Sequence, residues 1–220
     1  MKFRVLSVLF VFLISVGSSN ILKAKTIDNS VLKPHFINVQ INAKNGIQSL
    51  ASYFAADTNQ GVIFVPGKIF NKESWFFLNE QLQKSNITSL SLDGKTKEEV
   101  LESINLMKNK GVKKIALVGG SMGGAAVLNA LDEKTDETIN KVIVLAPYGG
   151  SPIDSAKINK LFVVAKNDRL GVYPSVKKQY SESSEPKKIA EYEGSEHAQH
   201  LFKGSNKEDL SRLIIDFIKN

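Results

Sequence analysis

The sequence predicts a single α/β domain built on a doubly wound, mostly parallel sheet, with an N-terminal antiparallel hairpin and helices on both faces. From residue 61 onward, short and nearly continuous apolar runs alternate with helix-length amphipathic stretches, the texture of strands buried on both faces and covered by helices. Before residue 61 the pattern is different: two alternating segments flank Asn45-Gly46, a hairpin signal. The length of 220 residues, 42% of them hydrophobic, suits one well-buried core and is short for two.

Along the chain, Lys2 and Arg4 precede an apolar run over residues 5–16, and Gly17, Ser18, Ser19 and Asn20 follow. That order of basic, apolar and small polar regions is that of a secretory signal peptide, with cleavage expected after Ser19 or Ala24. The run is shorter than the ~20 residues that span a bilayer, so no stable membrane span is expected after cleavage. The signal peptide is therefore assigned to residues 1–24 and the folded domain to residues 35–220, exported to the periplasm or secreted.

In the hairpin, Phe36 to Ile41 alternates apolar and polar, and Gln48 to Phe54 returns across the turn. The apolar runs that follow are residues 62–65, 87–92, 115–118, 142–145 and 161–164, and Lys188 to Tyr192 forms a further short strand. Between them, a helix is expected near residues 73–84. A second starts at the capping box Thr96-Lys97-Glu98-Glu99, keeps Val100, Leu101, Ile104 and Met107 on one face, and closes at Gly111. The last helix carries Leu210, Leu213, Ile214, Phe217 and Ile218 as its stripe, with Ser205 and Glu208 as its expected cap.

There is no cysteine, so neither a disulfide framework nor a lipidated thiol is available, and the core alone must stabilise the mature protein. The formal charge of +7 falls to +4 when residues 1–24 remove the cations Lys2, Arg4 and Lys23. The lysines are scattered among acids and lack interleaved aromatics, which excludes nucleic acid as the expected partner.

In an open α/β sheet, functional residues gather just after the strands. Gly119-Gly120-Ser121-Met122-Gly123-Gly124 sits between an apolar run and a helix-forming segment, the strand–GxSxG–helix order of a nucleophile elbow. Asp168 follows the run ending at Ala165, and His197 follows the short strand and the turn at Gly194. The order Ser121, Asp168, His197 is that of an acyl-transfer triad, with His197 as base and Asp168 as its orienting acid.

Rival assignments exist for each: a plain turn at Ser121, a helix cap at Asp168 with Asp154 as spare acid, and His200 in place of His197 or paired with it on a metal. No Cys or HExxH pattern supports a metal, and neither metal nor cofactor is expected. His35 reads as an ordinary surface or edge histidine, and Trp75, Phe76 and Phe77 as core.

On these residues the chain resembles α/β-hydrolases, most closely the compact, lidless dienelactone-hydrolase-like and small esterase groups, over roughly residues 35–220. Val65-Pro66-Gly67-Lys68 resembles the segment after the third strand, with Pro66 where a histidine is usual. Leu92-Asp93-Gly94 resembles the loop after the fourth strand, without its usual longer arginine- and glycine-containing segment. Gly120 replaces a frequent histidine, and the segment from Gly194 to Phe202 resembles the histidine loop, His197 being the one that aligns.

The elbow places the Met122 N–H as first oxyanion donor, with Lys68, or Ile69 beside it, as the second. The 12 residues from Tyr148 to Asn159, where relatives insert a lid, are too few for one. An open cleft and a small-molecule ester substrate are the expectation, with thioesters and peptides as alternatives and a catalytically weak, hydrolase-fold binding or envelope protein as the rival class. Oligomeric state is open.

Overall fold

Eight strands form one sheet in the computed structural model, which describes residues 35–133 and 136–220. The expected signal segment lies outside the described residues. In chain order the strands are β1 (Ile37–Asn42), β2 (Gln48–Phe54), β3 (Gln60–Val65), β4 (Thr88–Leu92), β5 (Lys114–Gly120), β6 (Ile139–Leu145), β7 (Asn159–Ala165) and β8 (Lys187–Tyr192). The helices are α1 (Phe76–Lys84), α2 (Lys97–Asn109), α3 (Met122–Glu133), α4 (Tyr173–Glu182) and α5 (Lys207–Lys219), with 3₁₀ segments at Lys72–Trp75 and Ala198–Phe202. Among the described residues no helix is long and apolar enough to cross a membrane.

The spatial order is β1-β2-β4-β3-β5-β6-β7-β8. β1 and β2 are antiparallel, as is β2 with β4, and every other pair is parallel. The hairpin turns at Gly46, whose φ of 84° is one that glycine adopts without a Cβ penalty. The apolar runs become the central strands because both of their faces are covered: from Gly61 to Val65 and from Ile115 to Gly120 every residue is buried. The edge strands β1 and β8 keep exposed residues, as strands with one free side can.

From β3 the chain crosses through α1 to β4 on one side, and from β5 it crosses through α3 to β6 on the other. The crevice between the carboxyl ends of β3 and β5 is thus the topological switch point, where α/β sheets bind ligands. Trp75 is fully buried against Phe64 and Phe202, and Phe76 stacks with Phe36 and Phe54. Trp75 is core and Phe77 packs against that core, whereas Phe76 is half-buried in the aromatic cluster at its edge.

The helix over residues 73–84 is in fact a 3₁₀ turn leading into α1. α2 opens with the complete capping box: Thr96 Oγ1 accepts the Glu99 N–H, and the Glu99 carboxylate accepts the Thr96 N–H at 3.1 Å and the Lys95 N–H at 3.0 Å. Burial pushes the Glu99 carboxyl up, but hydrogen bonding from the Ser49 and Thr96 hydroxyls and from the Thr96 and Lys95 N–H groups outweighs it and holds the group below its ordinary value. One expected cap is corrected: α5 starts after Asn206, not Ser205, and no side chain caps it. Its strongly apolar inner face, with Leu210, Ile214 and Ile218 buried, makes the end cap dispensable.

Thr96→Ala should therefore cost about 1 kcal/mol in urea unfolding, and Ser205→Ala less than about 0.5 kcal/mol. Because folding lowers the Glu99 pKa, the wild-type advantage over Glu99→Gln should be complete above the unfolded carboxyl value of about 4.3 and vanish as pH falls through the lower folded one. Parallel urea titrations of the two proteins from pH 7 to 3 measure it.

Candidate active site

β5 ends in glycines because nothing larger fits where it turns into α3. A Cβ on Gly119 would lie 2.6 Å from the Gly123 carbonyl oxygen, and one on Gly123 only 2.3 Å from the Val65 oxygen and 2.6 Å from that of Pro66. Between them Ser121 takes φ = 52°, a left-handed conformation uncommon for a non-glycine residue. Three backbone bonds hold it there. The Ser121 N–H donates to the Leu145 carbonyl at 2.9 Å, and its own carbonyl accepts the N–H groups of Ala125 at 3.0 Å and Tyr148 at 3.1 Å. The turn lifts the hydroxyl above the sheet and starts α3 at Met122.

The structure brings Ser121, His197 and Asp168 into one line. His197 Nε2 lies 2.7 Å from Ser121 Oγ, and its Nδ1 lies 2.8 Å and 3.0 Å from the two Asp168 carboxylate oxygens. A carboxylate beside Nδ1 requires the proton on that nitrogen, which leaves Nε2 to accept from the serine. The Asp168 side chain is 0% exposed and that of His197 is 7% exposed, so their mutual bonds are shielded from water, while Ser121 is half-buried and faces the cleft. Asp168 Oδ1 also accepts the Leu170 N–H at 2.9 Å, an Asx turn that sets its rotamer. The loops after β7 and β8 are laced together, Asn167 N–H to the Gly194 carbonyl and Arg169 N–H to that of Ser195, both at 3.1 Å.

The alternatives considered from sequence fall elsewhere. Asp154 is exposed on the connection before β7, and His35 is exposed at the start of β1. His200 lines the cleft but sits edge-on to Phe70, with its Nε2 buried and unpartnered and no bond to Ser121 or Asp168. Burial first, and then the charges of Arg169 and Lys203, keep its pKa below the ordinary histidine value.

Above Ser121 is a cleft of about 580 Å³, within the range of small-molecule sites. Met122 and Lys68 both line it, Met122 as the first residue of α3, whose N–H has no carbonyl one turn earlier to bond. The loop bearing Lys68 lies against the serine: a Cβ on Gly67 would be 3.3 Å from Ser121 Cβ. Its far end is held by Asp93, which accepts from Lys72 N–H at 3.0 Å and Nζ at 2.7 Å. Its near end is held by Gln199, which accepts the Gly67 N–H at 2.7 Å.

Sequence reasoning did not single out Gln199, nor the cleft walls Phe70, Tyr148 and Leu170, and it named Ile69 only as an alternative oxyanion donor. Ile69, Tyr148 and Leu170 are 74%, 63% and 53% exposed, an apolar rim that only their position after strand ends could have signalled. No lid covers them. The segment after β6 is pinned onto α4, with Gln179 Nε2 donating to the Gly149 and Gly150 carbonyls at 3.0 and 2.8 Å and the Ile153 N–H to Ser183 Oγ at 2.9 Å.

The fit of α3 against β3 gives a test. Gly123→Ala should lower stability by about 1 to 3 kcal/mol or more, because backbone oxygens cannot step aside, while Gly111→Ala, whose Cβ would meet nothing within 4 Å, should be limited to the strain of its positive φ. Thermal unfolding of both compares them.

Compared by sequence with curated proteins, the chain matches none. Solved structures share its fold. A Pyrococcus furiosus esterase superposes with TM-score 0.70 at 15% identity, covering 84% of this chain and 92% of that one. An Exiguobacterium antarcticum esterase gives 0.69 at 12% identity over 84% and 100%, and the esterase domain of a Rhodothermus marinus protein gives 0.64 at 14% over 84% and 100%. Residues 15–204 match the profile of the PGAP1-like alpha/beta domain, and by that match the chain belongs to the PGAP1-like family of the α/β-hydrolase superfamily.

Proposed function

We propose that the protein is an exported serine hydrolase, a carboxylesterase that cleaves small or accessible esters through an acyl-enzyme on Ser121. The observation that carries this is the unbroken line from Asp168 through His197 to Ser121 at the floor of an open cleft. Solved esterases of the same fold support the class of reaction.

In this reading Ser121 Oγ attacks the ester carbonyl while His197 Nε2 takes its proton. The carbonyl π electrons move to oxygen, and the Met122 and Lys68 N–H groups stabilise the oxyanion. As the tetrahedral intermediate collapses, the imidazolium returns the proton to the departing alkoxide, releasing the alcohol. Water then attacks the acyl-enzyme with the same base, and the carboxylic acid leaves with Ser121 restored. Asp168 orients the imidazole and stabilises the imidazolium. The apolar rim takes up the acyl or alkyl portion, and the pinned segment after β6 leaves the cleft uncapped, which favours short chains.

A fluorophosphonate probe should label the purified protein and fail to label Ser121→Ala; an adduct that persists in the variant would defeat the assignment. With p-nitrophenyl esters, short chains should turn over faster than long ones. Asp168→Asn should lower kcat by about 10⁴-fold. For export, residues 1–24 supply the support, a basic start followed by an apolar run. Mass spectrometry of the protein recovered from a bacterial periplasm or medium should show an N-terminus at Asn20 or Lys25. An intact Met1 in the cytosol would refute export without touching the chemistry.

A further inference from the structure

Gln199 is 3% exposed and spends its whole amide on one loop. Its Oε1 accepts the Gly67 N–H at 2.7 Å, and its Nε2 donates to Ser74 Oγ at 2.6 Å, which in turn donates to the Asn71 carbonyl at 2.6 Å. The two bonds grip the two ends of the segment that follows β3, the segment carrying Lys68. Gly67 itself is locked from the other side, since its carbonyl accepts the Phe70 N–H at 3.0 Å in a tight turn. In a trans peptide the N–H points opposite to the carbonyl, so that bond turns the Lys68 N–H out of the turn. Without an acceptor for its N–H, Gly67 has the backbone freedom to rotate both flanking peptides, which a residue with a Cβ lacks.

Two further features serve Gln199. Ala198, between it and His197, takes φ = 50°, a bend for a non-glycine residue that lets neighbours in one loop face different targets. Gly120, next to the nucleophile, leaves the space the amide occupies: a Cβ there would lie 2.7 Å from Gln199 Oε1, and its three nearest atoms would all belong to Gln199.

We infer that Gln199 is a positioning residue for the oxyanion hole, holding the Gly67–Phe70 turn so that the Lys68 N–H stays aimed over Ser121. This rests on the serine-hydrolase reading, in which an oxyanion forms there. Gln199 touches no reacting atom and acts through the loop, from the same 3₁₀ segment that follows the base.

Removing an oxyanion donor outright costs about 10²- to 10³-fold in turnover, so loosening the loop should cost about 10- to 100-fold. Gln199→Met keeps the volume and removes the acceptor. It should lower kcat for a short p-nitrophenyl ester by that amount, with KM within about threefold of wild type and the acid limb of the pH profile unmoved. Gln199→Glu keeps an acceptor for the Gly67 N–H and should recover most of the loss. Gly120→Ala should reduce kcat in the wild-type background and cost nothing further in Gln199→Ala, because the side chain it strikes is gone.

Gln199→Met at wild-type kcat, a shifted acid limb, or a Gly120→Ala loss that persists without Gln199 would each overturn the inference. A shifted limb would place the effect on His197. If Gln199→Met fails to fold, Gln199→Glu and the Gly120 pair decide it. A wild-type protein that takes no fluorophosphonate label overturns the hydrolase reading and this inference with it. A labelled, active wild type with an indifferent Gln199 overturns only the latter.

Discussion

The contact on which the site depends is the one between Gly123 and the carbonyls of Val65 and Pro66, where helix α3 meets the end of β3 with no space for a methyl group. It sets how closely α3 approaches the sheet, and hence where its first N–H and the serine before it stand. A left-handed non-glycine residue costs on the order of 1–3 kcal/mol and persists only when its surroundings over-determine it. Here they do: Ser121 is bonded to the end of β6 and to the loop beyond it, while α3 is anchored on the core by Val127, Leu128 and Ala130. The hydroxyl is therefore in place before any ligand arrives, the preorganisation that electrostatic catalysis requires.

Around that fixed point, the remaining loops are tied to one another more than to the sheet. The acid loop after β7 bonds to the histidine loop after β8, the histidine loop bonds through Gln199 to the loop after β3, and the latter is held at its far end by Asp93 after β4. Four strand ends thus share one polar seam. Gly67 and Gln199 are buried and Lys72 and Asp93 half-buried, so breaking either of those links leaves an orphaned donor or acceptor at about 1–3 kcal/mol apiece, whereas the Asn167–Gly194 and Arg169–Ser195 links are exposed and add register more than stability. Among the described residues no lid covers the cleft, and the seam supplies rigidity by mutual bonding of short loops.

Local signals explain how much could be read in advance. The strand–glycine–serine–helix order needs only consecutive residues, as does the Thr96–Glu99 capping box, and both stand as their sequences imply. The placement of Asp168 and His197 beside Ser121 was legible because a strand end is a local feature and the order of the three residues constrains the choice. Gln199 was not, because its partner Gly67 lies 132 residues away and nothing in its own neighbourhood separates it from a surface glutamine. The cap of α5 misled for a related reason. Ser205 has the right chemistry, but the chain turns at Gly204 with φ = 106° and delivers Asn206 to the helix start. The rim of Ile69, Tyr148 and Leu170 has no periodicity at all, since each comes from a different loop.

His197, just before the 3₁₀ segment, and His200, within it, show how environment sorts identical side chains. His200 donates its N–H to the His197 carbonyl at 3.0 Å, so the two rings are one short turn apart and both border the cleft. His197 has a carboxylate on one nitrogen and a hydroxyl on the other, an arrangement that supports a positive charge at the moment it develops. His200 has an aromatic edge on its ring, a buried and unpartnered Nε2, and Arg169 and Lys203 near enough to oppose protonation. Burial first, and then those charges, hold its pKa below the ordinary histidine value. Of the two rings only His197 therefore has both an anion to orient it and the Ser121 hydroxyl within reach, while His200 stands as part of the cleft wall, a difference made jointly by Asp168, by burial and by the neighbouring cations.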